Sequence, residues 1–128
     1  MVDSSALVAV LRDEPDQRVL IDTIVDFGGP CISTATYVET ATVMELRWGS
    51  AGAREMDALI DDVGIAMVPF DQAQAKAARE AFRRYGKGRH RAALNFGDCF
   101  AYALAKTLDA PLLFIGNDFT LTDIKRAL

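Results

Sequence analysis

Four carboxylates lie far apart along this chain: Asp3, Glu39, Asp98 and Asp118. If folding brings them to one place, their charges repel, and each raises its neighbours' pKa unless a cation is shared among them. An oxygen-only cluster of that kind suits a hard divalent ion, Mg²⁺ with Mn²⁺ able to substitute, and not zinc. The chemistry it supports is hydrolysis of a phosphodiester, with water activated by the ion and charge neutralised on the phosphoryl oxygens. Each acid also has a plainer reading. Asp3 precedes Ser4-Ser5 and can cap a helix. Glu39 closes a Thr36-x-x-Glu39 capping box, Asn95-x-x-Asp98 resembles a cap, and Asn117-Asp118 is ordinary turn chemistry. None of the four is specific alone; only a common location makes them a site.

The elements that must position these acids alternate between short apolar strands and helices. Met1-Val2 runs into Asp3, and a helix follows over Ala6 to Leu11, before Pro15. Val19, Leu20, Ile24 and Phe27 stand at helical spacing within Asp16 to Phe27, and Gly28-Gly29-Pro30 ends that helix. Cys31-Ile32 is the second strand, and Ser33 or Thr34 caps a helix reaching Trp48-Gly49. Another helix, over about Ala53 to Asp62, carries Met56, Leu59, Ile60 and Val63 on one face. Ile65 to Phe70 is the third strand, and Asp71 to Gln74 reads as a capping box for a helix to Tyr85. Asn95 opens a helix to Leu108, and Pro111 to Ile115 is the strongest strand. Strands alternating with helices imply a central parallel sheet with helices on both faces, an α/β architecture. Working groups in such sheets gather beyond the carboxyl ends of the strands. Asp3, Ser33, Asp71 and Gly116-Asn117-Asp118 stand there, with Glu39 a turn or two into its helix and Asp98 in the first turn of another.

At 128 residues, 51% hydrophobic and 25% charged, the chain is expected to form one folded domain over 1–128. Its apolar runs are too short to span a bilayer, and it opens with no secretory signal, so the cytoplasm is the expected location. Cys31 and Cys99 have neither CxxC spacing nor companion histidines, and read as buried free thiols. The net charge of −4 conceals a local reversal: Arg79, Arg83, Arg84, Lys87, Arg89 and Arg91 are six of the fourteen basic residues. Only Glu80 opposes them within that stretch.

Four segments carry a family resemblance: Met-Val-Asp3-Ser-Ser-Ala-Leu-Val, Ser33-Thr-Ala-Thr-Tyr-Val-Glu39-Thr-Ala, Leu94-Asn-Phe-Gly-Asp98-Cys-Phe-Ala-Tyr-Ala and Leu113-Phe-Ile-Gly-Asn-Asp118-Phe. In this order and spacing, over Met1 to Asp123, they resemble the PIN domain of VapC toxins. The resemblance implies a PIN fold and Mg²⁺-dependent endoribonuclease activity on tRNA or another structured RNA. It also implies a cognate VapB-like antitoxin and a homodimer. By the same resemblance Asp3 and Asp98 are the firmest metal ligands, Glu39 and Asp118 complete the acidic pocket, and Asp123 is a possible further acid. Ser4 stands where threonine is frequent in the family.

Gly86-Lys-Gly-Arg-His-Arg91 is either a solvated loop or a rim of Lys87, Arg89 and Arg91 that draws RNA phosphates past the carboxylates. His90, the only histidine, has no partner in sequence that would make it a general base. Phe96, Phe100 and Tyr102 read as core, whereas Phe119 is placed to touch a base at the pocket edge. The large apolar residues of Ala35 to Asp62, among them Val43, Leu46 and Trp48, exceed what one helix pair buries. They leave a groove for an inhibitory amphipathic segment whose Arg or Lys would reach the acids. Two alternatives compete: a non-catalytic PIN-like binding module, and a receiver-like signalling domain with Asp71 as phosphate acceptor. The receiver reading lacks paired acids after strand one and a lysine after the final strand; Ser5 likewise removes the Asp-x-Asp of dehalogenase-type phosphatases.

Overall fold

A computed structural model describes residues 1–128. Its elements are α1 (Ser4–Leu11), α2 (Gln17–Asp26), β1 (Cys31–Ser33), α3 (Thr34–Val63), β2 (Ala66–Val68), α4 (Gln72–Tyr85) and α5 (Phe96–Thr107). No helix is long and apolar enough to cross a membrane.

The regular sheet is small. β1 and β2 pair in parallel, with Cys31 opposite Ala66 and Ser33 opposite Val68. The layer continues through single contacts: Val2 N–H donates to Cys31 O at 3.0 Å, Val2 bridges Leu113, and Leu112 bridges Arg126, both bridges parallel. In space the order is therefore β2, β1, the Val2 segment, the Leu112-Leu113 segment, and Arg126. The chain builds outward from Val2 in one direction, then returns to build outward in the other. The point where the direction reverses lies between Val2 and Leu113, and ligands of open α/β sheets bind beyond the carboxyl ends at such a point.

Two expected strands are shorter than their sequences suggest. Pro111 to Ile115 forms only the bridges at Leu112 and Leu113, because Asp3 ends the pairing on one side as α1 begins. β2 stops at Val68 because Pro69 has no N–H to donate and Phe70 N–H is taken by Thr34 Oγ1 at 3.0 Å. The two helices expected between Ser33 and Asp62 are both present within α3, and they part at Gly49, whose φ of 70° and ψ of −173° are not helical. Gly52 allows the return after that break: a Cβ there would lie 2.8 Å from Trp48 Cβ and 3.0 Å from the Met44 carbonyl.

Side chains alternate across the layer and feed two cores. Val2, Ile32 and Leu113 pack with Leu7, Leu20, Met44, Met56 and Ile60 from α1, α2 and α3. Leu112 and Phe114 point the other way and pack with Ala81, Tyr85, Tyr102 and Ala103 from α4 and α5. Helices thus cover both faces. On α2 only Leu20 and Ile24 are buried; Val19 and Phe27, expected on the same apolar face, are exposed. Both thiols are free, with Cys99 buried and Cys31 half-buried.

Candidate active site

Asp3 is the N-cap of α1. Its Oδ2 accepts from Ser5 N–H at 3.0 Å and from Ser5 Oγ at 2.6 Å. Ser5 Oγ in turn accepts from Ile115 N–H at 3.1 Å, so one hydroxyl ties Asp3 to the chain leading into the Asp118 loop. The hydroxyl that orients Asp3 is that of Ser5, not of Ser4. Capping consumes only Oδ2; Asp3 Oδ1 is buried with no partner. Burial raises the Asp3 pKa against the pull of its Ser5 bonds, and Asp118 adds to the rise.

Asp98 repeats this arrangement at α5. Asn95 Oδ1 accepts from Asp98 N–H, and Asp98 Oδ2 accepts from Asn95 N–H, both at 2.8 Å, forming a reciprocal capping box. The carboxylate is buried, and burial lifts its pKa to about 6, with repulsion from Asp3 and Asp118 outweighed in part by the Asn95 bond.

Glu39 lies in the second turn of α3 and caps nothing. The N-cap is Ser33, which accepts from Ala35 N–H at 3.2 Å, and Thr36 is already inside the helix, so the Thr36–Glu39 capping box does not form. Glu39 Oε2 is buried without a partner. Burial, then Asp3, then Asp98 push its pKa up to about 7. Its carboxylate rests directly on Gly97: a Cβ there would lie 2.6 Å from Oε2 and closer still to Oε1 and Cδ. Glycine at 97 is what lets a carboxylate from α3 reach the first turn of α5. Sequence reasoning missed this residue, although a glycine in a helical first turn beside an acid was a visible signal.

Asp118 is exposed on the loop after Ile115. The loop is held by Thr120 Oγ1 donating to Asn117 O at 2.7 Å and by Phe119, which is buried against Phe114. Asp118 reaches the cluster as a charge acting on both Asp3 and Asp98.

The structure therefore brings Asp3, Glu39, Asp98 and Asp118 into one electrostatic neighbourhood at the reversal point of the sheet. They are coupled but not drawn tight, and no three stand at metal-ligand spacing. Asp3 and Asp98 each have one oxygen held by a helix cap, and mutual repulsion opposes closer approach. The donor set still fits a hard cation, because Asp3 Oδ1 and Glu39 Oε2 are buried carboxylate oxygens with no hydrogen-bond partner.

Other expected residues lie elsewhere. Asp123 is not brought to the cluster. Its Oδ1 accepts from Tyr102 Oη at 2.7 Å and its Oδ2 from Lys106 Nζ at 3.0 Å, with Arg84 3.8 Å away. Burial works upward on its pKa, but Tyr102 and Lys106 outweigh it and hold the carboxyl below its ordinary value. Lys87, Arg89 and Arg91 are exposed, on a loop closed by Lys87 N–H to Leu94 O and Leu94 N–H to Tyr85 O, both 2.9 Å. His90 Nδ1 accepts from Ala92 N–H at 3.0 Å and its ring stands edge-on to Tyr85, a structural role. Asp71 is the N-cap of α4, bonded to Gln74 N–H, while Gln74 Nε2 turns to Pro69 O; the expected reciprocal box is half formed. Two aromatic expectations are reversed: Phe119 is 2% exposed and cannot touch a base, whereas Phe96, expected in the core, is 78% exposed.

Comparison with known proteins gives this arrangement its family. The PIN-domain family model matches residues 1–125. Ribonuclease VapC of Mycolicibacterium smegmatis is 54% identical over 124 residues, covering 97% of this chain and 96% of the relative. Ribonuclease VapC30 of Mycobacterium tuberculosis is 50% identical, covering 97% and 95%. The crystal structure of Mycobacterium tuberculosis VapC20 superposes with a TM-score of 0.72 at 16% identity, covering 96% of this chain and 94% of that one. The chain belongs to the PIN-domain family and, within it, to the VapC-type ribonucleases.

Proposed function

We propose that the whole chain acts as one PIN domain: a cytoplasmic, Mg²⁺-dependent endoribonuclease and the toxic member of a VapBC-type pair, cutting tRNA or another structured RNA. The observation that carries this reading is the pair of buried, unpartnered oxygens, Asp3 Oδ1 and Glu39 Oε2, beside Asp98 at the sheet's reversal point. Asp3, Glu39, Asp98 and Asp118 would hold the ion, which supplies charge for the phosphoryl oxygens and an activated water. The protein's own part is positioning. Ser5 and the Asn95 box fix two carboxylates through one oxygen each, Gly97 admits the third, and the Phe119 anchor sets the loop of the fourth. Lys87, Arg89 and Arg91 offer the RNA backbone a cationic approach.

A VapB-like antitoxin is the partner this reading requires, with homodimerisation of the toxin. On α3, Val38 and Leu46 are 60% and 82% exposed, while Met44, Met56 and Ile60 are buried. The exposed pair fits the apolar side of an inhibitory segment whose Arg or Lys would contact the acids. Trp48 lies beneath Arg12, whose guanidinium is 4.3 Å from the ring centre, so antitoxin binding nearby should alter its fluorescence.

The test is Asp98→Asn, which preserves size and capping geometry but removes a charge. RNA cleavage with Mn²⁺ should collapse, as cleavage by the wild-type protein should in EDTA, while the variant stays folded. Wild-type cleavage by folded Asp98→Asn would defeat the assignment.

A further inference from the structure

Phe96 is the most conspicuous exposed aromatic side chain near the acids. It is the first residue of α5, one place before Gly97 and two before Asp98, and it lines the same open depression as Glu39 and Gly97. A large apolar ring left in water costs free energy unless something covers it in use. The ring is also held in place. Phe96 meets Phe100 edge-to-face with centroids 4.8 Å apart and planes at 77°, and Phe100 meets Phe70 in the same way at 5.1 Å and 81°. This ladder of three rings holds Phe96 by its contact with Phe100 and leaves most of its surface to solvent.

Beyond Phe96 and Phe100 the surface continues as an apolar groove of about 450 Å³ bordered by Phe82 and Arg79. Lys76, Arg79 and Arg83 follow one another at i, i+3 and i+7 on the outer side of α4. Arg83 is paired with Glu80 at 3.0 Å, while Lys76 and Arg79 make no ion pair. Positive charge beside aromatic faces, in a protein of net charge −4, complements a strand whose backbone is anionic and whose bases are flat. In a two-fold dimer through this face the cationic rims of the two copies would meet each other, and their repulsion opposes that pairing.

We propose that Phe96 is a base-stacking platform that takes an unpaired nucleobase next to the phosphodiester held at the acids, with the strand continuing along the groove towards Arg79 and Lys76. The proposal rests on the ribonuclease reading and adds a contact to it: the base beside the scissile phosphate leaves its stack and lies on Phe96, whatever the rest of the RNA folds into. It leaves base identity open, because every base has a face to stack.

The experiment measures binding separately from cleavage. Fluorescence anisotropy of labelled decauridylate and decaadenylate in EDTA is followed for the wild-type protein and for Phe96→Ala, Phe96→Leu and Phe96→Trp. Because the ring is mostly solvent-exposed at a helix terminus, all three variants should fold. Ala and Leu should each weaken binding by about 5- to 150-fold, the range for losing one stacked base, and Trp should keep or tighten it. A blunt RNA duplex should bind all four proteins alike, since its bases are already stacked within. With Mg²⁺ present, Phe96→Ala should raise KM for a single-stranded substrate more than it lowers kcat. Equal binding by wild type, Ala and Leu, or no binding of either oligomer by wild type, would overturn the platform. So would a Phe96→Ala variant that binds RNA normally but loses antitoxin or dimer affinity, which would give this face to a protein partner. Failure of the ribonuclease reading looks different: wild-type protein would bind the oligomers through Phe96 yet cut no RNA with any divalent ion.

Discussion

Gly97→Ala separates stability from activity at the point where α3 meets α5. Ordinary contact between a methyl and a carboxylate oxygen begins near 3.4 Å, and the new Cβ would lie 2.6 Å from Glu39 Oε2 and closer to Oε1. The Glu39 carboxylate must therefore withdraw by about 1 Å or more, and as the tip of a flexible side chain it can do so cheaply. Withdrawal also moves a repelling charge away from Asp3 and Asp98. Alanine is favoured over glycine in a helix by up to about 1 kcal/mol, less in a first turn, so the variant should melt unchanged or roughly 2–4 °C higher. Activity should move the other way, because a misplacement of about 1 Å in a catalytic constellation can cost on the order of 10²-fold. Cleavage of a defined RNA and calorimetric binding of Mn²⁺ are measured for Gly97→Ala, Glu39→Ala and the double variant. If Gly97 acts through Glu39, the activity loss of Gly97→Ala disappears in the Glu39→Ala background, while the stability gained from alanine's helix propensity remains. Full cleavage by Gly97→Ala, or an equal loss in both backgrounds, would refute the reasoning.

Three further expectations follow from the same geometry. Glu39 rises from its ordinary 4.5 to about 7 and Asp98 from 3.8 to about 6, so in metal-free buffer the folded state binds these protons more tightly than the unfolded chain. Stability is then greatest below about pH 4 as far as these groups are concerned. It declines as pH rises through about 7, by on the order of 1–2 kcal/mol after solvent screening. Urea unfolding across that range, with EDTA and then with Mg²⁺, checks it; a curve from these groups that rises with pH, or one that Mg²⁺ leaves unaltered, contradicts it. Asp123→Ala should strip Tyr102 of its partner and loosen the carboxyl-terminal segment by about 1–2 kcal/mol, while Mn²⁺ affinity stays near wild type. A loss of ion binding matching that of Asp98→Asn would make Asp123 a ligand after all. Replacing Arg89 and Arg91 with alanine should reduce the salt dependence of RNA binding by at most about one unit of slope per lost phosphate contact. An unchanged slope returns the loop to plain solvated surface.

Much of the architecture is local, and the sequence alone determined it. Helical spacing and caps place α1, α2, α4 and α5 to within a few residues, since each depends on neighbours a turn away. The two readings of Asp3 and Asp98, helix cap and site acid, are not exclusive, because a carboxylate has two oxygens and the cap takes one. What needed the tertiary structure is whatever depends on partners distant in sequence. Val2 pairs with Leu113, and that contact fixes where the sheet order reverses and makes Asp3 and Asp118 neighbours along the edge that strand alternation already assigned to both. Local periodicity carries no information about it. The same holds for Gly97, whose missing Cβ matters only because Glu39 arrives from another helix, and for Asp123, whose sequence neighbours do not reveal Lys106 and Tyr102. Phe96 and Phe119 make the point most directly: both are aromatic residues beside a site acid. One is exposed because it begins a helix on the outer side of Phe100, the other buried because its loop folds onto Phe114. Hydrophobicity is a property of the side chain, but burial is decided by which surface the rest of the chain brings to meet it.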